Sequence, residues 1–205
     1  MMVPTKDITQ LYLNKEPDAE HWVNMLRQKH AETYQHCIRV AILAEKIAEP
    51  LGLSEEDKRK LIRGCFLHDI GKTMIPRDLI MQTQPLSKEQ WNIIKLHPLL
   101  GAEIMEEQTG FDEEIINVVH YHHERWDGSG YPAGLQGEDI PWFARICSVI
   151  DAFDSMLSDR PYGRKLTPAE AKLELLRHAG KQFDTEVVHA FMTLTDQTLN
   201  IYSKD

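Results

Sequence analysis

Start signals for α-helices divide this chain, and they constrain its fold more than any other feature. Ser54, Ser87 and Thr167 each occupy a predicted N-cap position. Gln90 and Glu170 stand three residues after the last two caps, which completes the capping-box pattern. Between these signals apolar residues recur three or four positions apart, and no segment alternates in the manner of a β-strand. The pattern predicts an all-α protein, a compact multi-helix bundle.

Helix boundaries are also marked by proline and glycine. The first clear helical segment runs from Ala31 to Glu49, where Pro50 and Gly52 end it. Residues 1–16 carry no comparable signal and are expected to be a poorly specified lead-in. With 205 residues and no interior linker, the rest of the chain (17–205) is expected to form one domain.

Charge and cysteine content exclude several classes of partner. The net charge of −9 argues against a nucleic-acid polymer, because phosphate contacts need a basic face. Cys37, Cys65 and Cys147 are scattered and odd in number, which is typical of reduced thiols in a cytoplasmic protein. No apolar run reaches about 18 residues, so no membrane partner is expected. Protein partners and oligomeric state cannot be inferred from these features.

Imidazoles and carboxylates collect at the ends and breaks of the predicted helices. A lone His-Asp pair or Glu-x-x-x-His pair is weak evidence, but here five histidines and several acids share this placement. The candidate ligand set is Glu32, His36, His68, Asp69, His97, His122, His123 and Asp151. Histidine nitrogen and carboxylate oxygen suit iron, manganese or zinc, and one carboxylate can bridge two ions. The sequence therefore predicts a multi-metal site. Asp154, three residues after Asp151, is expected to orient a ligand histidine.

A glycine-rich segment follows the double histidine. Residues 124–140 contain Gly128, Gly130, Gly134 and Gly137 together with Pro132, which predicts a loop. Glycine lets a backbone approach a ligand closely, so the loop is expected to border the metal site.

Several motifs carry a family resemblance over about residues 28–195. HDIGK at 68–72 matches the HD signature, and HPLLG at 97–101 matches a further histidine segment. HHERWDGSGYP at 122–132 matches the GYP signature, and DAFDSM at 151–156 matches the last segment. The chain resembles the HD-GYP domain, a branch of the HD phosphohydrolase superfamily.

That resemblance implies a helical bundle around two or three divalent metal ions, most readily iron or manganese. It implies that the candidate set above provides the ligands, with Asp69 bridging two ions and Glu32 marking a trinuclear site. Lys72 and Arg160 match positions that contact phosphate, and Tyr131 belongs to the loop lining the ligand site. Asp69 and Lys72 are the expected catalytic residues.

The implied activity is hydrolysis of a cyclic dinucleotide, cyclic di-GMP to pGpG and/or GMP, by a hydroxide held between two ions. Cyclic GMP-AMP and a linear dinucleotide are open as alternative substrates. A second kind of function is a binding module that senses the messenger without turnover. A third is a nucleotide phosphohydrolase of the wider superfamily with a different substrate.

Overall fold

The computed structural model describes residues 17–108, 110–158, 164–195 and 199, and it is helical throughout them. Apart from one isolated bridge between Ala179 and Phe183, these residues contain no β-structure, so the all-α prediction is confirmed. Two 3₁₀ turns, Ile70–Met74 and Gly137–Asp139, interrupt the α-helices. The α-helices are α1 (Pro17–Lys29), α2 (Ala31–Ala48), α3 (Glu55–Leu67), α4 (Arg77–Ile80), α5 (Lys88–Ile94), α6 (His97–Glu106), α7 (Glu113–Tyr121), α8 (Trp142–Leu157), α9 (Pro168–Arg177) and α10 (Thr185–Met192).

The capping signals act as the sequence predicts. Ser87 Oγ accepts the backbone N–H of Gln90 at 3.2 Å, and the Gln90 side chain accepts the Ser87 N–H at 2.9 Å. Thr167 and Glu170 form the same reciprocal pair at the start of α9. Ser54 caps α3 through its hydroxyl. These contacts satisfy backbone donors that the first helical turn leaves unpaired.

Helix α1 was not predicted, because the first helical segment was expected to begin at Ala31. Its inner face buries Val23 and Leu26, which join the hydrophobic core. The helix packs against α2 and the first 3₁₀ turn, and Lys29 Nζ donates to the carbonyl of Thr73 at 3.2 Å. Tertiary packing therefore stabilises a helix whose sequence has weak start signals.

Helices α2 and α8 form the centre of the bundle. α2 contacts α1, α3 and α8, while α8 also contacts α3, α7, α9 and α10. Leu43, Ile47, Ile150 and Phe153 are fully buried along the two helices. Burying each such side chain contributes roughly 1.5–3 kcal/mol, so the apolar faces fix how the helices meet. No helix in the described ranges is both long and apolar enough to cross a bilayer.

Gly71 lets the first 3₁₀ turn touch the start of α6. A Cβ placed on Gly71 would lie 2.0 Å from the His97 carbonyl oxygen and 2.6 Å from the Gly101 nitrogen. A Cβ on Gly101 would in turn lie 2.7 Å from a Val119 methyl group on α7. The two glycines bring three chain segments close together, and each segment carries a candidate ligand.

Candidate metal centre

Helix ends deliver most of the candidate ligands to one place. α3 ends at Leu67 and is followed by His68 and Asp69, while α6 begins with His97. α7 ends at Tyr121, directly before His122 and His123. The two remaining contributions come from within long helices, His36 from α2 and Asp151 from α8.

One half of the centre combines imidazoles with carboxylates. His36, His68 and Asp69 offer ligand atoms that lie within 4.8 Å of one another. His36 Nε2 is 3.2 Å from His68 Nε2 and 3.0 Å from Asp151 Oδ1. These four residues are called the acidic group below.

The other half consists of imidazoles alone. His97, His122 and His123 also place their ligand atoms within 4.8 Å of one another. His97 Nε2 lies 3.3 Å from His122 Nε2 and 3.2 Å from His123 Nε2. These three residues are called the imidazole group below.

Asp69 lies between the two groups. Its Oδ2 is 3.5 Å from His68 Nε2, and its Oδ1 is 3.3 Å from His97 Nε2. One carboxylate therefore presents one oxygen to each group, which is the arrangement that a bridging ligand needs.

Hydrogen bonds fix which nitrogen of each imidazole faces the centre. His68, His97 and His122 place Nδ1 at 2.7, 2.7 and 2.8 Å from a backbone carbonyl three residues earlier. His36 Nδ1 lies 2.6 Å from Asp154 Oδ2. A carbonyl or carboxylate accepts a proton from Nδ1, so Nε2 is directed into the centre, as in metal-binding histidines.

The separations between these nitrogens fit a bound divalent cation. Neutral imidazoles that donate through Nδ1 point their Nε2 lone pairs at one another, which is unfavourable unless a positive charge lies between them. Two nitrogens held by one ion at about 2.1 Å are roughly 3.0–3.4 Å apart for angles between square and tetrahedral. In the imidazole group the observed separations of 3.3 and 3.2 Å fall within that interval.

The two groups differ in electrostatics. Burial opposes the charged form of His36, yet hydrogen bonds to Asp151 and Asp154 raise its pKa to about 9. Burial and the neighbouring His97 lower the pKa of His123 to about 3. Burial would raise the pKa of Asp69, but Lys72 and His68 outweigh it and hold the pKa well below its usual value. Carboxylates thus dominate one half, while burial among imidazoles favours the neutral form of His122 and His123 in the other.

An arginine supports the acidic group from behind. Arg39 Nε and Nη2 donate to the two carboxylate oxygens of Asp154 at 2.8 and 2.9 Å. Asp154 is fully buried, and His36 with Arg39 overcomes the opposing effect of burial to lower its pKa to about 2. The role expected for Asp154, orienting a histidine, agrees with this geometry. Arg39 was missed, although it lies three residues after His36 on the same helix face.

Two of the residues expected to contact substrate, Lys72 and Tyr131, border the centre. Lys72 Nζ donates to Asp69 Oδ2 at 2.6 Å. The Tyr131 ring stacks on His123 with 4.8 Å between centroids and 28° between planes. The Tyr131 N–H also donates to the His123 carbonyl at 3.3 Å. A positive charge therefore flanks the acidic group, and an aromatic ring covers part of the imidazole group.

The loop that carries Tyr131 is held by the side chain of Glu124. Buried Glu124 accepts the N–H groups of Ala133 and Gly134 through Oε1, at 2.6 and 3.0 Å. A Cβ on Gly130 would lie 2.5 Å from the Arg125 nitrogen. Gly130 was expected to make room for a ligand, but the loop itself occupies that space. No role was predicted for Glu124.

Two predicted site residues are not placed in the centre. Glu32 is exposed on α2, one turn before His36, and it belongs to neither group of ligand atoms. Arg160 lies outside the described residues. The roles assigned to both residues stay predictions.

Comparison with known proteins agrees with the motifs. A family model for the HD domain matches residues 20–187. A "Cyclic di-GMP phosphodiesterase" of Thermotoga maritima is 36% identical over 89% of this chain and 50% of its own length. A "3'3'-cGAMP-specific phosphodiesterase 2" of Vibrio cholerae is 32% identical over 87% of this chain and 34% of its own length. This chain thus spans half or less of these relatives.

A solved structure shows the same fold and motif type. Bd1817, a HDG"Y"P protein from Bdellovibrio bacteriovorus, superposes with a TM-score of 0.64 at 28% identity. The superposition covers 77% of this chain and 50% of Bd1817. The family model, the histidine motifs and the shared bundle agree, and the chain belongs to the HD domain family, in its HD-GYP branch.

Proposed function

We propose that this protein is a metal-dependent phosphodiesterase that hydrolyses a cyclic dinucleotide, cyclic di-GMP to pGpG and/or GMP. The observation that carries the proposal is the pair of ligand groups joined by Asp69. Paired divalent sites are a recurring solution for displacement at phosphorus. The activities named for the Thermotoga and Vibrio relatives support the same substrate class.

We propose that the site takes two or three divalent ions, iron or manganese, which the residues of the two groups, with Asp69 between them, would hold. A third ion would use Glu32, which is exposed on α2 one turn before His36. Mixed imidazole and carboxylate ligands accept several first-row metals, and supply in the cell contributes to the choice. Bound ions would supply water activated near neutral pH and neutralise charge on the phosphoryl group.

The side chains have distinct proposed tasks. Asp69 links the two halves of the centre by presenting one carboxylate oxygen to each. Lys72, whose ammonium already lies beside Asp69, stabilises negative charge on a phosphoryl oxygen. Tyr131 and Arg160 contact the substrate, Tyr131 from the loop that covers His123. Lysine acts there as a compact point charge, and arginine offers a planar fork to phosphate.

The test is turnover under metal-controlled, anaerobic conditions. Purified protein loaded with Fe(II) or Mn(II) should convert cyclic di-GMP to pGpG or GMP, as resolved by chromatography. Chelator-treated protein is the control. Saturable binding of cyclic di-GMP without product above this control would support a binding module instead. If the protein shows no binding and no turnover, both functions are overturned.

Cyclic GMP-AMP is the second candidate substrate. The Vibrio relative named for 3'3'-cGAMP shares 32% identity with this chain. Both messengers present two purines and two phosphodiesters, so the metal centre alone does not select between them. Parallel kcat/KM measurements with the two compounds decide between the candidates.

We also propose that the protein works in a reducing compartment, the bacterial cytoplasm. Cys37, Cys65 and Cys147 are all free and buried. Buried, unpaired thiols are typical of proteins that stay in the cytoplasm.

A further inference from the structure

A lysine and a tryptophan lie between the imidazole group and the protein surface, in contact with the Tyr131 ring or with each other. Lys95, the residue directly after α5, places Nζ 5.0 Å from the centroid of the Tyr131 ring. The same ammonium lies 5.9 Å from the centroid of the Trp91 ring on α5. Because Tyr131 stacks on His123, His123, Tyr131, Lys95 and Trp91 form a continuous path from the centre to the solvent.

Trp91 keeps much of its ring open. Its exposed fraction is 44%, and it is outside the hydrophobic core of the bundle. A single exposed apolar residue needs no explanation on its own. Here the indole shares a cation with the aromatic ring that covers the imidazole group, so it belongs to the border of the same site.

The chemistry of the substrate matches this border. A cyclic dinucleotide carries two phosphodiesters on opposite sides of its ring, with a purine attached beside each. When one phosphodiester lies at the metal centre, the second phosphodiester and a base must extend away from it. Indole rings bind nucleobases by stacking, and an ammonium neutralises a phosphate. In a chain with a net charge of −9, cations at the rim are needed to attract a dianion.

We propose that Trp91 and Lys95 form a subsite for the outer half of the cyclic dinucleotide. Trp91 stacks on a purine base, and Lys95 contacts the second phosphodiester. This inference rests on the proposed function and adds the residues that recognise the substrate away from the reacting phosphorus.

Steady-state kinetics test the stacking contact. Trp91→Ala should raise KM for cyclic di-GMP by about 5- to 160-fold, the range expected for loss of one stacked base. Trp91→Phe keeps an aromatic face and should recover most of that loss. Leu173→Ala, at a residue 53% exposed on α9, is the matched control and should behave as wild type. A KM for Trp91→Ala within twofold of wild type would overturn the stacking role.

The lysine is tested by charge removal. Lys95→Met should raise KM and make KM less sensitive to added salt, because one ionic contact with the substrate is lost. A purely structural role would leave the salt dependence unchanged, and that result would overturn the phosphate contact. Thermal unfolding of each variant checks that the fold is retained.

Fluorescence separates this inference from the proposed function. Cyclic di-GMP should quench tryptophan emission in the wild type, and the quenching should largely disappear in Trp91→Phe, which retains Trp22, Trp126 and Trp142. Should the wild type bind with this quenching but release no product, hydrolysis fails as a function and the subsite stands. Turnover with identical quenching in both proteins would overturn the subsite and leave hydrolysis intact.

Discussion

The two halves of the metal centre hold similar ligand atoms by different means. In the acidic group, His36 lies between the carboxylates of Asp151 and Asp154 and is further supported by Arg39. In the imidazole group, His97 and His122 are each fixed by a carbonyl of the preceding helical turn or segment. His36 thus depends on a side chain more than 100 positions away, whereas His97 and His122, like His68 of the acidic group, depend on local backbone.

This difference shows which ligand histidines can lose their orientation through a substitution. A substitution can remove the orienting partner of His36, because that partner is a side chain. No substitution removes a backbone carbonyl, so the orientation of His97 and His122 is protected. The charge also differs, since carboxylates surround His36 while other imidazoles surround His123.

The largest effect is expected at the residue shared by both halves. Asp69→Ala should remove metal from both groups and lower kcat/KM by about 10³-fold or more, roughly 4 kcal/mol of transition-state stabilisation. Metal content per chain and turnover are the measurements, and Asp78→Ala, an exposed acid on α4, is the control. Retained metal in Asp69→Ala would contradict the bridging role.

Removing one ring from the imidazole group should divide the centre. His123→Ala takes away one of three ligands there and leaves the acidic group complete. We expect about one ion fewer per chain and a loss of activity on the order of 10²-fold, because both ions are needed for in-line displacement. Element analysis of the purified variant checks this; loss of all metal would show that the halves do not bind independently.

Lys72 is expected to affect turnover more than metal content. Lys72→Met removes the ammonium beside Asp69 but no ligand atom. The expected loss in kcat is about 10²-fold, typical for a group that stabilises charge in the transition state. Unchanged kcat, with full metal content, would remove Lys72 from the catalytic residues.

The smallest effect is expected behind the acidic group. Asp154→Asn keeps the shape of the side chain but weakens the contacts with His36 and Arg39. Metal affinity of the acidic half should fall by about 10- to 100-fold, the usual consequence of losing an orienting carboxylate. Competition with a metal indicator measures it, and an equal loss from the imidazole half would contradict the separation of the two groups.

Local sequence signals predicted most of the fold. The caps at Ser54, Ser87 and Thr167 are used as expected, because capping depends on neighbouring residues. Helix α1 escaped prediction because its stability comes from packing against α2. A sequence pattern does not record contacts between residues far apart in the chain.

The site was predicted less completely. The histidine motifs indicated metal ligands, but grouping them into two sets required the positions of helix ends in space. The pairing of Arg39 with Asp154 spans 115 residues, and no local pattern encodes it. Glu124 accepts hydrogen bonds from backbone N–H groups, which almost every residue type has, so no sequence pattern indicates its partners.

The hydrogen bonds from His68, His97 and His122 to backbone carbonyls have a consequence for the evolution of such a protein. Each of these hydrogen bonds needs only the turn of chain that precedes its histidine. Lys95 lies within the turn before His97, but replacing the side chains of Trp91 and Lys95 removes none of these backbone carbonyls. New messenger preferences can therefore arise by changing the border while the reactive interior is inherited intact.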